Sequence, residues 1–402
     1  MSDLSSDLSS QRFTLDDLNA LSDSANSILE GLRSKMLEPH PRKKAPVLNA
    51  AQLATLCGID PKEITPLTKS KGLPPGTHSG QGTRRFFSIE ETRHWVQAIS
   101  PIPRKPVTAT AAVIAVVNFK GGSTKTTTAF NLAQGLTLRG RRVLLVDLDP
   151  QGSATVLTGI LPAVEVLEEH TAGLITYPPV KDKEGKIIWE PPTDLQYAVQ
   201  STYWDGLDLI PAAPTLFNAE IFLPLQSKNA DAQWWDVLNK ALTPLRQQYD
   251  VIIMDTAPAL SYLAVNAVIS ADALIMPLPP ENLDYTSSIA FWNLLAETLT
   301  RLKESKHLNK EFAFMNVMLS RVQTNKFAQS IVKDWIIATY GRHILPVEIP
   351  QSDVTSMGGM QFGTVFDVSR PSDKIRTAYE RFVEIIDQSI MSCVWKMRPT
   401  NE

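Results

Sequence analysis

The sequence predicts an α/β fold, a mostly parallel sheet flanked by helices, preceded by a small helical domain. Apolar segments of strand length recur at residues 113–117, 143–147, 206–212, 251–255, 273–278, 312–319 and 344–348. Continuous apolar runs of this length are typical of parallel strands buried on both faces. The intervals between them accommodate crossover helices, with an exposed hairpin predicted around residues 181–186 and a closing amphipathic helix at residues 370–391.

Length and composition limit the class of protein. At 402 residues the chain is too long for one compact core, so we expect two domains, one of them small. The net charge of −3 gives no overall nucleic-acid signature, so DNA binding must depend on local patches. Cys57 and Cys393 form no disulfide framework, and the histidines lack the spacing of metal ligands. With no signal peptide and no membrane-spanning run, we expect a cytoplasmic protein.

The N-terminal region, residues 1–46, is predicted to be a disordered tail, a helix and a basic linker. The helix spans residues 14–36, with Thr14 and Asp17 as a capping box. Its apolar residues, spaced by threes and fours, form one stripe: Leu15, Leu18, Leu21, Ala25, Ile28, Leu29, Leu32 and Met36. This stripe serves either as a dimer contact or as a packing face on its own domain, and the pattern does not separate the two.

Residues 47–100 have the pattern of a helix-turn-helix. Asn49 begins a helix, Gly58 turns the chain, and Asp60-Pro61 begins a second helix that Gly72 ends. A further helix is predicted through Glu90, Trp95 and Ile99. Residues 101–110 have the composition of an extended linker.

Pro66 conflicts with this second helix. Inside a helix its ring would clash with the carbonyl four residues back, so the helix is predicted to begin there instead, with Thr65 as cap. The segment GQGTRRFFS, residues 80–88, then resembles the wing of MerR-like DNA-binding domains. The residues predicted to face DNA are Thr65, Thr68, Lys69, Lys71, Arg84 and Arg85. The alternative is a small protein-interaction module with a solvated basic face.

The segment AAVIAVVNFKGGSTKTTT, residues 111–128, organises the rest of the chain. A buried strand leads into a turn rich in glycine, lysine and threonine, and a helical pattern follows directly. Backbone N–H groups of such a turn and the helix N-terminus converge on an anion. Lys125 adds a charge for the β- and γ-phosphates, and the Thr126 hydroxyl is suited to Mg²⁺. The alternative is an ordinary strand-to-helix turn.

The turn departs from the general phosphate-loop pattern G-x-x-x-x-G-K-S/T. Phe119 and Thr124 stand where that pattern has glycines, and a second lysine, Lys120, lies five residues before Lys125. The predicted nucleotide-binding residues are Lys120, Gly121, Gly122, Ser123, Thr124, Lys125, Thr126 and Thr127.

This loop resembles the deviant Walker A box of the ParA/MinD ATPases, whose extra lysine marks the family. Two further segments match in order: VLLVDLDPQGS, residues 143–153, resembles the second box, and YDVIIMDTAP, residues 249–258, resembles the Walker B strand. The resemblance implies a P-loop NTPase fold for residues 111–402, with ATP/ADP and Mg²⁺ as cofactors. Within the family, a non-glycine at Thr124 is typical of larger plasmid ParA proteins with an N-terminal DNA-binding extension, and we expect it to tighten the loop and slow turnover.

Three residues receive roles at this site. The resemblance implies that Asp149 orients the attacking water; the alternative is that Asp147 and Asp149 only cap the next helix. Asp255 ends its strand and is expected to reach Mg²⁺ through a water, or else to cap the following turn. Lys120 has no obvious task in its own monomer. The resemblance implies that it reaches the phosphates of a partner subunit in a nucleotide-sandwich dimer; the alternative is that it is simply exposed.

Three assignments stay open on the sequence. Asn316 either reads the adenine edge or is a buried, satisfied asparagine. The segment PPENLD, residues 279–284, resembles the family's and is given only a structural or switch role. Four basic residues form either a DNA-gripping face or a solvated surface: Arg321, Lys326, Lys374 and Arg376.

The resemblance implies a long ParA-type partition ATPase. Such a protein is a homodimer with weak basal turnover, is stimulated by a ParB-type centromere-binding partner, coats nucleoid DNA non-specifically and represses its own operon through an N-terminal domain. One alternative is a nucleotide-sensing repressor; another is a MinD-like positioning ATPase, of whose basic amphipathic tail residues 392–396 are a weak version. An iron–sulfur reductase is excluded because Cys57 and Cys393 lie at the wrong ends of the chain.

Overall fold

The structure, a computed structural model, describes residues 13–36, 43–78, 84–226, 233–352, 363–367 and 373–397. Two compact units are present, Met1–Lys43 and Lys44–Glu402. The first contains helix α1, Leu15–Met36, and its predicted capping box is confirmed, since the Thr14 N–H donates to Asp17 Oδ2 at 2.8 Å. The apolar side chains of Leu15, Leu18, Leu21 and Ile28 are exposed. The tail at residues 1–12 and part of the predicted linker lie outside the described residues.

The second unit begins with a small domain built on three helices and a three-stranded antiparallel sheet. The helices are α2 (Ala50–Cys57), α3 (Ile64–Lys71) and α4 (Ile89–Ile99), and the strands are β1 (Leu48–Asn49), β2 (Thr77–His78) and β3 (Arg85–Phe87), in the order β1-β3-β2. Leu53, Phe87 and Trp95 are fully buried between them. The predicted ends of the first helix are confirmed, since Asn49 caps α2 and Gly58 ends it at φ 68°.

The expectation that Thr65 caps the second helix is wrong. A 3₁₀ turn, Pro61–Glu63, with Asp60 as its cap, leads directly into α3, so Thr65 and Pro66 both lie inside the helix. The clash is avoided because the carbonyl four residues before Pro66 belongs to Lys62, within the tighter 3₁₀ turn rather than an α-helical one.

Direct contacts join the small domain to the large one. Residues 101–110 contain no helix or strand, as predicted for a linker. They are nevertheless held in place, because Arg141 donates to the Pro103 carbonyl at 2.7 Å and Lys105 donates to the Tyr249 carbonyl at 2.8 Å. From α4, Arg93 forms an ion pair with Asp205.

The large domain is organised around an eight-stranded sheet in the order β13-β12-β11-β4-β10-β5-β9-β8. Its strands are β4 (Ala112–Val116), β5 (Val143–Leu148), β8 (Gln200–Ser201), β9 (Leu207–Ile210), β10 (Val251–Thr256), β11 (Ala273–Leu278), β12 (Phe314–Val322) and β13 (Ile344–Pro350). All pair in parallel except β8, which pairs antiparallel with β9 at one edge. The remaining strands, β6 (Val180–Lys181) and β7 (Ile187–Trp189), form the predicted exposed hairpin. The predicted α/β fold is confirmed.

Helices cover the sheet. They are α5 (Lys125–Leu138), α6 (Ser153–Leu157), α7 (Pro162–Glu165), α8 (Ala219–Gln226), α9 (Val237–Leu242), α10 (Leu245–Gln248), α11 (Tyr262–Ser270), α12 (Asn282–Lys306), α13 (Phe327–Tyr340) and α14 (Asp373–Ser389). Helix α5 is buried almost throughout, because it lies between the central strands and α14. The strands β4, β5 and β10 are neighbours, so their carboxyl ends meet at one edge of the sheet.

Candidate functional site

The loop between β4 and α5 contains two residues with a left-handed backbone conformation. Gly122 adopts φ 75° and Thr124 adopts φ 70°, both in the left-handed region. Glycine reaches this region at no steric cost, whereas a β-branched residue such as threonine rarely does. Lys125 is the first residue of α5, so the loop presents the helix N-terminus at the carboxyl edge of the sheet.

Lys125 is the buried cation of this site. Its side chain is almost fully covered, and its Nζ donates to the Lys120 carbonyl at 3.2 Å. Burial lowers the pKa of Lys125, while the nearby carboxylates of Asp255 and Asp149 act in the opposite direction. The three side chains are therefore close enough to interact, as the sequence predicts for a nucleotide-binding site.

Several buried polar atoms around Lys125 lack a well-formed hydrogen bond to any described residue. They are the Ser123 and Thr124 hydroxyls and both carboxylate oxygens of Asp255. Burial is the main cause that raises the pKa of Asp255 well above its usual range, and the neighbouring Asp147 raises it further. The hydroxyl of Thr126, which faces Asp255, lowers this pKa in part. Unpaired buried polar atoms are rare in folded proteins, and hydroxyls beside a carboxylate are donors suited to Mg²⁺ and phosphate. The residues present thus fit a magnesium–nucleotide ligand.

The two strand-end acids of β5 and β10 have different surroundings. Asp147 is level with Asp255 on the adjacent strand. Its Oδ2 accepts hydrogen bonds at 2.8 Å from both the N–H and the hydroxyl of Thr155 in α6, and burial raises its pKa to about 6. Asp147 therefore does hold the next helix, as the alternative interpretation proposed. Asp255 does not, because Ser261 caps α11.

Asp149 lies just past β5 and is half-buried. Its Oδ1 accepts a hydrogen bond from the Gln151 N–H at 3.0 Å, and its own N–H donates to Asp147 Oδ1 at 3.2 Å. Asp147 thereby holds the turn that carries Asp149 at the sheet edge.

Lys120 has a partner in its own chain that the sequence did not indicate. Its Nζ lies 2.5 Å from Oδ2 of Asp284, a buried residue in the first turn of α12. The pair is separated by 164 positions. Asp284 belongs to the segment 279–284, whose resemblance to the family indicated a structural or switch role but no partner.

Arg321 is also found beside the loop. It follows a shift in the pairing of β12 with β13, adopts φ 53°, and donates to the Gly122 carbonyl at 3.3 Å. Of the other three basic candidates, Lys326 pairs with Glu281, Arg376 pairs with Glu380, and Lys374 is exposed. These pairings favour the interpretation as an ordinary surface over a DNA-gripping face.

Asn316 lies on β12 at the level where β4 ends. The register pairs Asn316 with Ile275 of β11, and Ile275 in turn with Val116. The side chain is half-buried. Its contact with adenine stays a prediction.

The small domain brings three of the predicted DNA-facing residues together. A groove of about 480 Å³ is lined by Thr65 of α3, by Arg84 and Arg85 before and in β3, and by the start of α2. Lys69 and Lys71 are exposed farther along α3. The Thr68 hydroxyl is engaged within the helix, donating to the Ile64 carbonyl at 2.8 Å. Residues 80–83 of the predicted wing lie outside the described part of the chain.

Comparison with known proteins identifies the family. The family model described as an AAA domain matches residues 111–314. Protein SopA of Escherichia coli (strain K12) is 30% identical over 336 residues, covering 82% of this chain and 82% of that protein. The chromosome partitioning protein ParA of Myxococcus xanthus is 30% identical over 240 residues, covering 60% of this chain and 75% of that protein. The chain belongs to the ParA-type family of partition ATPases.

Solved structures share the ParA-type fold of this chain. A partition protein superposes with a TM-score of 0.66 at 19% identity, covering 94% of this chain and 98% of that one, which shows the fold alone. Cobyrinic acid a,c-diamide synthase from Mycobacterium smegmatis, with bound ADP and magnesium, has a TM-score of 0.52 at 25% identity and covers 70% of this chain and 96% of that one. In the described part of this ParA-type chain, helices of the length and apolarity needed to cross a bilayer are absent.

Proposed function

We propose that this chain is a long ParA-type partition protein that binds ATP with Mg²⁺ at the β4–α5 loop and hydrolyses it slowly. One observation carries the proposal: beside the buried cation Lys125 lie the Ser123 and Thr124 hydroxyls and both carboxylate oxygens of Asp255, and none of these atoms has a well-formed hydrogen bond to a described residue. A nucleotide bound with Mg²⁺ would satisfy all of these groups at once, because its phosphates accept from the hydroxyls and Lys125 while the metal binds near the carboxylate.

Each residue has one task in this proposal. The loop N–H groups and Lys125 bind the phosphates, and Thr126 and Asp255 hold the metal. Magnesium, when bound, supplies positive charge that offsets the negative charge developing on the phosphates. Asp149, held at the sheet edge by its hydrogen bond to Asp147, orients the attacking water. Asn316 is the candidate contact for adenine.

Separate binding and turnover measurements test this assignment. Lys125→Ala should abolish ATP binding measured by calorimetry, whereas Asp149→Ala should bind ATP and fail to hydrolyse it, because only the water is misplaced. Lys186→Ala, on the exposed β6–β7 hairpin, is the matched lysine control and should behave as the wild type. Full turnover by Lys125→Ala would contradict the assignment.

We also propose that the small domain binds an operator as part of a dimer, so that the protein represses its own operon. The groove that joins Thr65 to Arg84 and Arg85 supports this, since arginines there can reach phosphates or base edges. Replacing both arginines with alanine should weaken operator binding by about tenfold or more and reduce its salt dependence. Lys183→Ala/Lys186→Ala, which removes the same charge elsewhere, should leave operator binding intact, and equal losses in both variants would contradict a specific surface.

The remaining parts of the proposal concern partners. ATP binding and dimerisation are one linked equilibrium in which Lys120 reaches the partner subunit's nucleotide. The dimer coats nucleoid DNA non-specifically, and a ParB-type protein stimulates hydrolysis to release it. The relatives named above support this, since one is a chromosome partitioning protein.

One observation favours a second candidate function, a nucleotide-sensing repressor. Helix α4 contacts the chain just past the end of α5, where Gln97 donates to the Gly140 carbonyl at 3.1 Å and Arg93 to the Arg141 carbonyl at 3.2 Å. Because α5 begins at the nucleotide loop, a shift of this helix would reach the small domain directly. A repressor of this kind would not need a partner that stimulates turnover.

A further inference from the structure

We propose that Asp284 is a latch that holds Lys120 within the monomer, and that dimerisation with ATP has to open it. This inference rests on the proposed function, in which Lys120 acts across a dimer. Asp284 is a positioning residue in this account, because it acts through Lys120 and not on the nucleotide.

Four contacts hold Lys120 and the two residues before it. Its Nζ pairs with Asp284 at 2.5 Å, and its backbone N–H donates to Asn118 Oδ1 at 3.1 Å. The Asn118 amide in turn donates to the Pro277 carbonyl of β11 at 2.9 Å. Between them, the Phe119 ring packs edge-on against Phe291 of α12, with centroids 5.1 Å apart. The start of the loop is therefore docked on β11 and α12 as a unit.

The two members of the pair are unequally exposed. The Lys120 side chain is 37% exposed, whereas that of Asp284 is 5% exposed. When the pair opens, the exposed Lys120 ammonium is readily hydrated by water. The buried Asp284 carboxylate, in contrast, is left without its cation, which is strongly unfavourable. The burial of Asp284 therefore opposes the release of Lys120.

A second ion pair at the start of the same helix lacks this property. Lys326 and Glu281 lie 2.8 Å apart, with side chains 45% and 41% exposed. An exposed pair of this kind contributes little, because both charges remain hydrated when it opens. Glu281 thus provides a control carboxylate three positions from Asp284.

The latch lies next to the group that would sense the nucleotide. Lys125 Nζ donates to the Lys120 carbonyl. Phosphates that draw Lys125 into their own coordination would break this bond and loosen the backbone that carries Lys120. ATP binding and release of the latch would then occur together. Asp284 would therefore set the concentrations of ATP and of protein at which the dimer forms.

The first test measures the contact without any dimer. Lysine amines are methylated reductively in the nucleotide-free, full-length protein, and the rate at each lysine is followed by mass spectrometry. In Asp284→Asn, Lys120 should be modified several-fold faster than in the wild type, with Lys326 unchanged. In Glu281→Gln, Lys120 should react as in the wild type.

The second test measures dimerisation by sedimentation velocity over a range of ATP and protein concentrations. Asp284→Asn should reach half-dimerisation at about tenfold lower protein concentration than the wild type, and Glu281→Gln should not differ. Asp284→Glu, which keeps the charge, should restore wild-type behaviour. Asp284→Ser is the second variant if Asp284→Asn does not fold.

Two results would overturn the latch: unchanged Lys120 reactivity in Asp284→Asn, or faster reactivity with dimerisation no easier than in the wild type. Wild-type protein that stays monomeric with ATP, while both Asp284→Asn and Asp284→Ser dimerise, would support a latch stronger than proposed. Failure of every variant to dimerise would contradict the proposed dimer itself and with it the latch's role, whereas the methylation rates would still show whether Asp284 holds Lys120.

Discussion

At the scale of single residues, the fold holds Thr124 in an unfavourable backbone conformation and Asp255 in an unfavourable buried position. Thr124 combines a left-handed backbone with a buried hydroxyl that lacks a described partner, and Asp255 is a fully buried carboxylate. Strain of this kind clusters at functional sites, where the surrounding structure holds the residue in place. Both residues therefore yield predictions for the protein without nucleotide.

Thr124→Gly should stabilise the nucleotide-free protein and raise ATP turnover. Relief of the left-handed threonine gains about 1–2 kcal/mol, and the greater freedom of glycine in the unfolded chain returns roughly half of it, so a net gain of about 1 kcal/mol is expected. Chemical denaturation measures the free energy of unfolding. Thr124→Ser, which keeps the Cβ and the hydroxyl, is the control. An unchanged stability and turnover in Thr124→Gly would show that the loop is not strained at this position.

Asp255→Asn should raise the melting temperature of the metal-free protein in a pH-dependent manner. Burial raises the pKa of Asp255 above its unfolded value of 3.8, so the folded wild type keeps a proton that the unfolded chain has lost. Wild-type stability therefore falls as the pH rises from about 4 through the folded-state pKa, and the amide variant avoids this loss. The advantage of the variant should grow from acid to neutral pH.

Asp149→Asn, at a half-buried position, is the control for that measurement and should show no such advantage. An advantage of Asp255→Asn that is the same at every pH would mean that packing, and not the buried charge, explains it.

At the scale of elements, helix α5 connects the nucleotide loop to the rest of the large domain. Its packing on α14 depends on Gly135, where an added Cβ would lie 2.4 Å from Val383 Cγ2. Such close approach brings the two helices together over the sheet and leaves no room for a methyl group.

Gly135→Ala should destabilise the protein by roughly 1–3 kcal/mol, because the new methyl overpacks the α5–α14 interface. In the double variant with Val383→Ala, the loss should be smaller than the sum of the two single losses, since the space vacated by valine accepts the methyl. Urea denaturation of the four proteins provides the cycle. Additive losses would mean that the two residues do not share this contact.

The elements were largely predictable from the sequence, and their reasons are local. Buried parallel strands are continuous apolar runs, and Asn49, Gly58 and Gly72 mark helix ends through capping and left-handed glycines. The error at Thr65 also has a local cause: a proline is tolerated early in a helix when a 3₁₀ turn precedes it, and the sequence does not distinguish the two kinds of turn.

The contacts that complete the site were not predictable, because they depend on strand order. Lys120 meets Asp284 only because β4 lies beside β11, which leads into α12. Arg321 reaches Gly122 only through the irregular end of β12. No local pattern encodes either pairing. Lys125 and Asp255 were found from the sequence because Lys125 begins the helix that follows a recognisable strand and its loop, and Asp255 lies near the end of another such strand.

At the scale of the whole molecule, the small domain and the ATPase domain are in direct contact. Arg93 pairs with Asp205, and Gly206, at φ 78°, leaves the space that the Arg93 guanidinium occupies. A side chain at position 206 would displace this arginine. The contact joins the small domain, which also contains the predicted DNA-binding groove, to the domain that binds nucleotide. This is the arrangement expected of a protein whose DNA binding responds to ATP.

ATP turnover distinguishes a partition ATPase from a protein that is only a nucleotide-sensing repressor. The most direct test is the rate of ATP turnover with and without DNA and a ParB-type protein encoded beside it, with Lys125→Ala as the control. Turnover should be slow without DNA and the partner and strongly stimulated when both are present. Lys125→Ala should abolish it. Turnover that stays flat with both present, while ATP still changes operator affinity, would contradict a partition ATPase and support the repressor.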